Sequence, residues 1–155
     1  MKGLGLICLV LTAYFVSRAY SRFRQHRYEE LEAYCRLLSG VREDILVYRT
    51  FRAQGGLRDD PVLCLLGYRG EENVAEDLMG TLSRMSLFPS EKKILTDILH
   101  TFGEGNLESE IEKVGKMLDN VKIILQKEEK EGKKSVDTVR IVLFTVALSL
   151  VIILL

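Results

Sequence analysis

The sequence predicts an all-α protein, a helical bundle of about five helices flanked by two transmembrane helices. Three observations carry the prediction. An uncharged apolar stretch lies near each end, a long apolar seam with 3–4 spacing adjoins each stretch, and no segment alternates convincingly with period two. The resulting division is an N-terminal anchor over 3–20, a helical domain over 21–135 and a C-terminal anchor over 136–155.

The first anchor is built on Gly3 to Val16, which carries no charge. At about 1.5 Å per residue such a stretch reaches only about 21 Å, against a hydrocarbon core of roughly 30 Å. Residues 17–20 can lengthen it, with Arg18 reaching back to the headgroups. Lys2, the apolar stretch and the pair Ser17 and Ala19 resemble a signal peptide. Arg18, Arg22, Arg24 and Arg27 follow immediately, however, and positive charge there opposes export, so the segment is expected to be retained. The second anchor, Ile141 to Leu155, is equally short, and Val136 to Val139 can extend it, with Arg140 at the boundary.

Basic residues set the orientation. Arginines without acids fill 17–28, and Lys130, Lys133, Lys134 and Arg140 precede the second anchor, whereas only Lys2 lies beyond the first. Counting Lys and Arg places the middle of the chain in the cytoplasm and both ends away from it. His26, within the basic flank, is expected at lipid headgroups.

The middle begins with Leu31, Tyr34, Leu38, Val41, Ile45 and Tyr48, an a/d seam with charges between. Gly55-Gly56 is expected to end that helix. A matching seam runs through Leu107, Ile111, Val114, Leu118, Val121 and Leu125, with Asn106 as N-cap and Glu108 and Glu110 near the positive end of the dipole. Lys127 to Lys134 closes it, Gly132 can kink or end it, and the alternating charges of 127–131 read as a solvated face. The two seams are expected to lie antiparallel and to continue the two anchors.

Shorter helices fill the interval. Pro61 opens one through Leu66, capped by Asp59 or Asp60 and broken at Gly67 to Gly70. Asn73 caps another, with Val74, Leu78, Leu82 and Met85 on one face and Gly80 weakening it by about 1 kcal/mol relative to alanine. Pro89-Ser90 begins a third, with Ile94, Leu95, Ile98 and Leu99 inward and a stop at Gly103 to Gly105.

Composition and motifs narrow the function. Lys plus Arg and Asp plus Glu both number 22, so the chain lacks the excess positive charge of a general nucleic-acid binder. Cys8, Cys35 and Cys64 are scattered and odd in number, which suggests free thiols in a reducing compartment. There is no P-loop, no HExxH, no nucleophile motif and no third glycine after Gly103 and Gly105. His100 is ordinary near a helix C-terminus. Glu71, Glu72, Glu76 and Asp77 read as a solvated helix start. Neither catalysis nor a cofactor or metal is expected.

The layout of anchor, basic flank, helical domain and second anchor resembles the stage III sporulation protein AB family. Leu31 to Leu38, with Glu43-Asp44-Ile45 and Tyr48, is similar to that family's first long helix. One extra residue separates Ile45 from Tyr48, and Thr50-Phe51-Arg52 stands where the family has a Thr-Pro-Leu turn. Leu99 to Glu108 resembles its glycine turn before the last long helix. That family is similar in turn to the cytoplasmic domain of the type II secretion (component F) and type IV pilus platform proteins. The resemblance implies a non-enzymatic inner-membrane platform on the mother-cell side of the forespore, within a channel complex. It implies a secretion-type ATPase and other membrane components of that complex as partners; the anchors themselves imply membrane lipids, and association with a second copy of the chain is left open. A small membrane-bound adaptor or regulator outside secretion is the alternative. A partner surface, if present, would use Glu43 and Asp44 on the first helix and Glu104 and Glu108 around the turn.

Overall fold

The computed structural model describes residues 2–48, 74–102 and 106–154, and everything described is helix or short turn. The elements are α1 (Lys2–Tyr48), α2 (Val74–Arg84), α3 (Pro89–Leu99) and α4 (Leu107–Leu154). Among the described residues there are thus four helices, and the expected division of each long apolar end from its neighbouring seam helix is absent. The physical reason is continuity. No proline interrupts 2–48 or 107–154, so each apolar end and its neighbouring heptad form one uninterrupted helix of 47 or 48 residues. Gly132 does not end α4. The expected end at Gly55-Gly56, the helix from Pro61 and the stop at Gly103 to Gly105 lie outside the described residues.

Contacts divide the chain into two compact units. One comprises Met1–His26 with Lys127–Leu155, the other Arg27–Gln126.

The second unit has a conventional core. Leu31, Tyr34, Leu37, Leu38, Val41 and Ile45 of α1 pack with Val74, Leu78 and Leu82 of α2, Leu95 and Leu99 of α3, and Val114, Met117, Leu118 and Val121 of α4. The seam positions legible in the sequence are buried in the middle of each seam, while Leu107, Ile111 and Leu125 are half-buried at its rim. Two expectations need correction. Ile94 faces solvent, because α3 turns Leu95 and Leu99 inward and Ile94 falls beside that stripe. Val74, Leu78, Leu82 and Met85 do share the buried face of α2, but Asp77 and Thr81 are equally buried beside them.

Local chemistry accounts for the helix starts. Pro89 occupies the first turn of α3, where its missing N–H costs nothing. Glu91 accepts a hydrogen bond from the Phe88 backbone N–H at 3.0 Å. Asn106 caps α4 as expected, its Oδ1 accepting the Ser109 N–H at 2.9 Å. Lys113 donates to Glu110 at 2.8 Å and to the Thr101 carbonyl, tying the end of the α3 segment to the first turns of α4.

The first unit is inverted. Its buried residues are small or polar: Ala13 and Ser17 on α1, and Glu128, Gly132 and Ala147 on α4. Its exposed residues are large and apolar: Ile7, Val10, Phe15, Val16, Ile141, Val142, Leu148, Ile152 and others. α1 and α4 run antiparallel here, since Tyr20 pairs with Ser135 and Arg24 with Glu128.

Candidate functional site

The site-forming features are charged groups taken out of water at helix–helix contacts, and each unit has one.

In the first unit, Tyr20 Oη and Ser135 Oγ share a hydrogen bond of 2.7 Å. One turn along, Arg24 Nε lies 2.7 Å from Glu128 Oε1. Residues 13, 17, 20 and 24 recur every three or four positions, so they fall on one face of α1. Facing them, 128, 132 and 135 do the same on α4. Gly132 lies against the ion pair: a Cβ there would stand in ordinary contact, 3.4 Å from Glu128 Oε1 and 3.7 Å from Arg24 Nη2. One expectation changes as a result. Glu128, expected on a solvated face, is buried in the seam, and Arg24 beside it is largely withdrawn from solvent, because the 3–4 register that carries Tyr20 and Ser135 inward also carries them.

In the second unit, Arg27 is 1 % exposed. Its Nη2 donates to both carboxylate oxygens of Glu91, at 2.8 and 2.7 Å. Its guanidinium carbon lies 3.9 Å from the centroid of the Phe88 ring, a cation–π stack. The buried Glu30 carboxylate accepts the Ser86 N–H at 2.8 Å. Two successive inward turns of α1 thus hold the α2–α3 connection, Arg27 by the side chains that flank Pro89 and Glu30 by the backbone. His26 is exposed.

The predicted partner acids are scattered. Glu43 is exposed near the end of the described part of α1, and Asp44 beside it is half-buried. Glu108 is exposed in the first turn of α4, and Glu104 lies outside the described residues. Of the acidic cluster, Glu76 is exposed and Asp77 is fully buried, so Asp77 does not belong to a solvated helix start.

Titration is perturbed at a few places. Burial raises the Tyr34 phenol far above its ordinary range; its hydroxyl donates to the Leu78 carbonyl at 3.3 Å. Burial also raises the Cys35 thiol, with Lys122 opposing and Glu32 reinforcing the shift. The Lys116 ammonium, hydrogen-bonded to exposed Glu112, lowers that carboxyl. Cys8 and Cys35 are free thiols, and Cys64 lies outside the described residues. Among the described residues no group of three His, Cys, Asp or Glu side chains is placed to hold a metal.

The small-and-polar seam is what sequence reasoning missed. Its signal was present as Ala13, Ser17, Tyr20 and Arg24 at spacing 4, 3, 4, the same register that continues into Arg27, Leu31 and Tyr34. Among the described residues one helix, Leu107–Ile153, contains a stretch long and apolar enough to cross a membrane, and only 6 % of that stretch is buried. No protein-family model, curated protein or solved structure matches the chain.

Proposed function

We propose that the chain is a non-enzymatic membrane platform, anchored by both ends in a bacterial inner membrane and presenting its helical unit to a secretion-type ATPase in the cytoplasm. The observation that carries the anchoring is the inversion of the first unit. A helix pair that buries Ala13, Ser17 and Ala147 while exposing Phe15, Ile141, Leu148 and Ile152 has the wrong sides for water and the right sides for lipid. Its Tyr20–Ser135 contact pairs polar groups with one another at the inner end of the apolar stretches, as the border of hydrocarbon requires. The basic flanks supply the orientation, with the second unit on the cytoplasmic side.

The docking role, the place in a sporulation channel complex and the mother-cell location rest on the resemblance to the stage III sporulation protein AB family. Co-purification of the detergent-solubilised full chain with the secretion-type ATPase of the same cell tests them. Retention of the ATPase is expected, and no association even in intact membranes overturns the docking role. The alternative is a membrane-bound adaptor outside secretion, favoured if the gene is expressed in growing cells and has no secretion ATPase beside it. Topology is tested separately by labelling an engineered cysteine at Ser83, exposed on α2; reaction with an impermeant reagent from outside overturns the cytoplasmic orientation. Thr81, fully buried, is unsuitable for that experiment.

A further inference from the structure

We infer that the first unit carries a collar selective for anionic phospholipid headgroups, formed jointly by α1 and α4 at the edge of the apolar surface. The inference rests on the membrane-anchored reading above and adds the chemistry of the lipid.

Two facing pairs fix which residues share a level. Tyr20 meets Ser135 and Arg24 meets Glu128, so residues 18–24 of α1 stand beside residues 128–137 of α4. Arg18 and Arg22 from one helix, and Lys130, Lys133 and Lys134 from the other, are all exposed at that level. Arg24 is withdrawn from the surface by Glu128, so the headgroup-facing charge is not simply the run of arginines. Glu128 is withdrawn with it, which removes an acid from the same surface.

The remaining acids do not cancel the collar. Asp137 is answered by Arg140, at 3.9 Å. Glu129 and Glu131 are exposed, but they lie on the side of Lys133 and Lys134 away from the apolar surface, about 3–8 Å farther along the helix by its rise. Lys133 and Lys134 therefore stand nearer the apolar edge than Glu129 and Glu131, Lys130 is level with those two acids, and Asp137, nearer the edge still, is paired with Arg140. Tyr14 and Phe23, both exposed, flank the level on α1, and Arg18 donates to Tyr14 Oη at 3.1 Å. Aromatic rings and long basic stems at such an edge match the headgroup region. A basic collar there meets lipid phosphate and, in an anionic leaflet, net negative charge. Zwitterionic lipid offers the phosphate without the net charge, which makes the selectivity measurable.

The test uses the full chain reconstituted in vesicles of phosphatidylcholine containing roughly one-third phosphatidylglycerol, with spin-labelled forms of both lipids as probes. Motionally restricted lipid around the protein is expected to favour phosphatidylglycerol several-fold over phosphatidylcholine. The preference is expected to shrink in high salt. It is expected to fall by at least about threefold in the triple variant Lys130→Gln, Lys133→Gln, Lys134→Gln. Alkaline carbonate extraction is run in parallel. Protein retained in the bilayer with equal preference for the two lipids overturns the collar alone. A preference unchanged in the triple variant also overturns it. Protein released by carbonate overturns the anchored reading and the collar with it.

Discussion

Arg24 Nε lies 2.7 Å from Glu128 Oε1, and the two side chains are 12 % and 5 % exposed. The pair sits four residues from Tyr20 on α1 and seven from Ser135 on α4, so a one-turn slip of α1 against α4 would separate the two charges. A buried pair of this kind adds little net stability over apolar residues of the same size, but it penalises wrong registers heavily. Arg24→Ala or Glu128→Ala alone is expected to cost about 3–5 kcal/mol, because each strands the other charge. The double replacement Arg24→Met, Glu128→Leu is expected to recover most of that loss. Unfolding of the detergent-solubilised full chain, followed by circular dichroism, compares the three. Single variants as stable as the parent would show that the pair is not buried in the folded protein.

Gly132 gives a graded version of the same argument. A methyl group there would stand in ordinary contact with the ion pair, at 3.4 Å from Glu128 Oε1. Gly132→Ala is therefore expected to be neutral or to stabilise by up to about 1 kcal/mol through helix propensity. Gly132→Leu must drive its branched end into the pair and is expected to cost about 1–3 kcal/mol. The same unfolding measurement checks both, and a tolerated leucine would mean that α1 and α4 do not approach at this level.

These seam residues also show where sequence reasoning reached its limit. Leu31, Tyr34, Leu38, Val41 and Ile45 were legible because apolar side chains at 3–4 spacing among charges have one good explanation. Met117 and Leu37 were missed because each lies beside its seam, and a bundle helix packed on two neighbours buries a wider stripe than a/d alone. Inside the apolar ends the contrast reverses. Where nearly every residue is hydrophobic, the contact face is marked by Ala13, Ser17 and Ala147, whose small size reads as nothing in particular. Glu128 was misplaced for a different reason. Charge runs usually lie in water, and only a partner on another helix, here Arg24, reveals the exception. Ile94 failed in the opposite sense, an apolar residue just off the stripe. Of the four predicted partner acids, exposed Glu43 and Glu108 are at least accessible.

The clasp of Arg27 on Glu91 and Phe88 predicts a hierarchy of substitutions. Arg27→Ala removes two charge-assisted hydrogen bonds and leaves Glu91 facing the cavity, at a cost of about 3 kcal/mol or more. Arg27→Lys keeps the charge but loses the planar guanidinium that stacks on Phe88 while its Nη2 donates to both carboxylate oxygens, so it is expected to recover only part of the loss. Phe88→Ala is expected to cost about 1 kcal/mol. Because Arg27 and Glu30 hold the α2–α3 connection, protease cleavage near Ser86 should rise in the same order. Equal resistance in parent and Arg27→Ala would show that the connection is held by other contacts.

Tyr34 sets an alkaline limit. Its ring is fully buried among α1 and α2 residues and its hydroxyl donates to the Leu78 carbonyl. Ionising it in place would put a phenolate in an apolar core and lose that donor, so burial holds the folded phenol well above its ordinary value. The unfolded chain titrates near the ordinary tyrosine value of about 10 and, above that pH, holds fewer protons than the folded chain. The contribution is thus fully present below about pH 10 and is lost progressively as pH climbs towards the folded value. Stability is expected to fall by at most about 1.4 kcal/mol for each pH unit above 10 from this residue. Tyr34→Phe removes the titration at the expense of one hydrogen bond, about 1 kcal/mol at neutral pH. The other tyrosines and the lysines are common to both proteins, so the difference between their pH profiles isolates Tyr34. Profiles that stay parallel through pH 11 would place the Tyr34 hydroxyl in water in the folded protein.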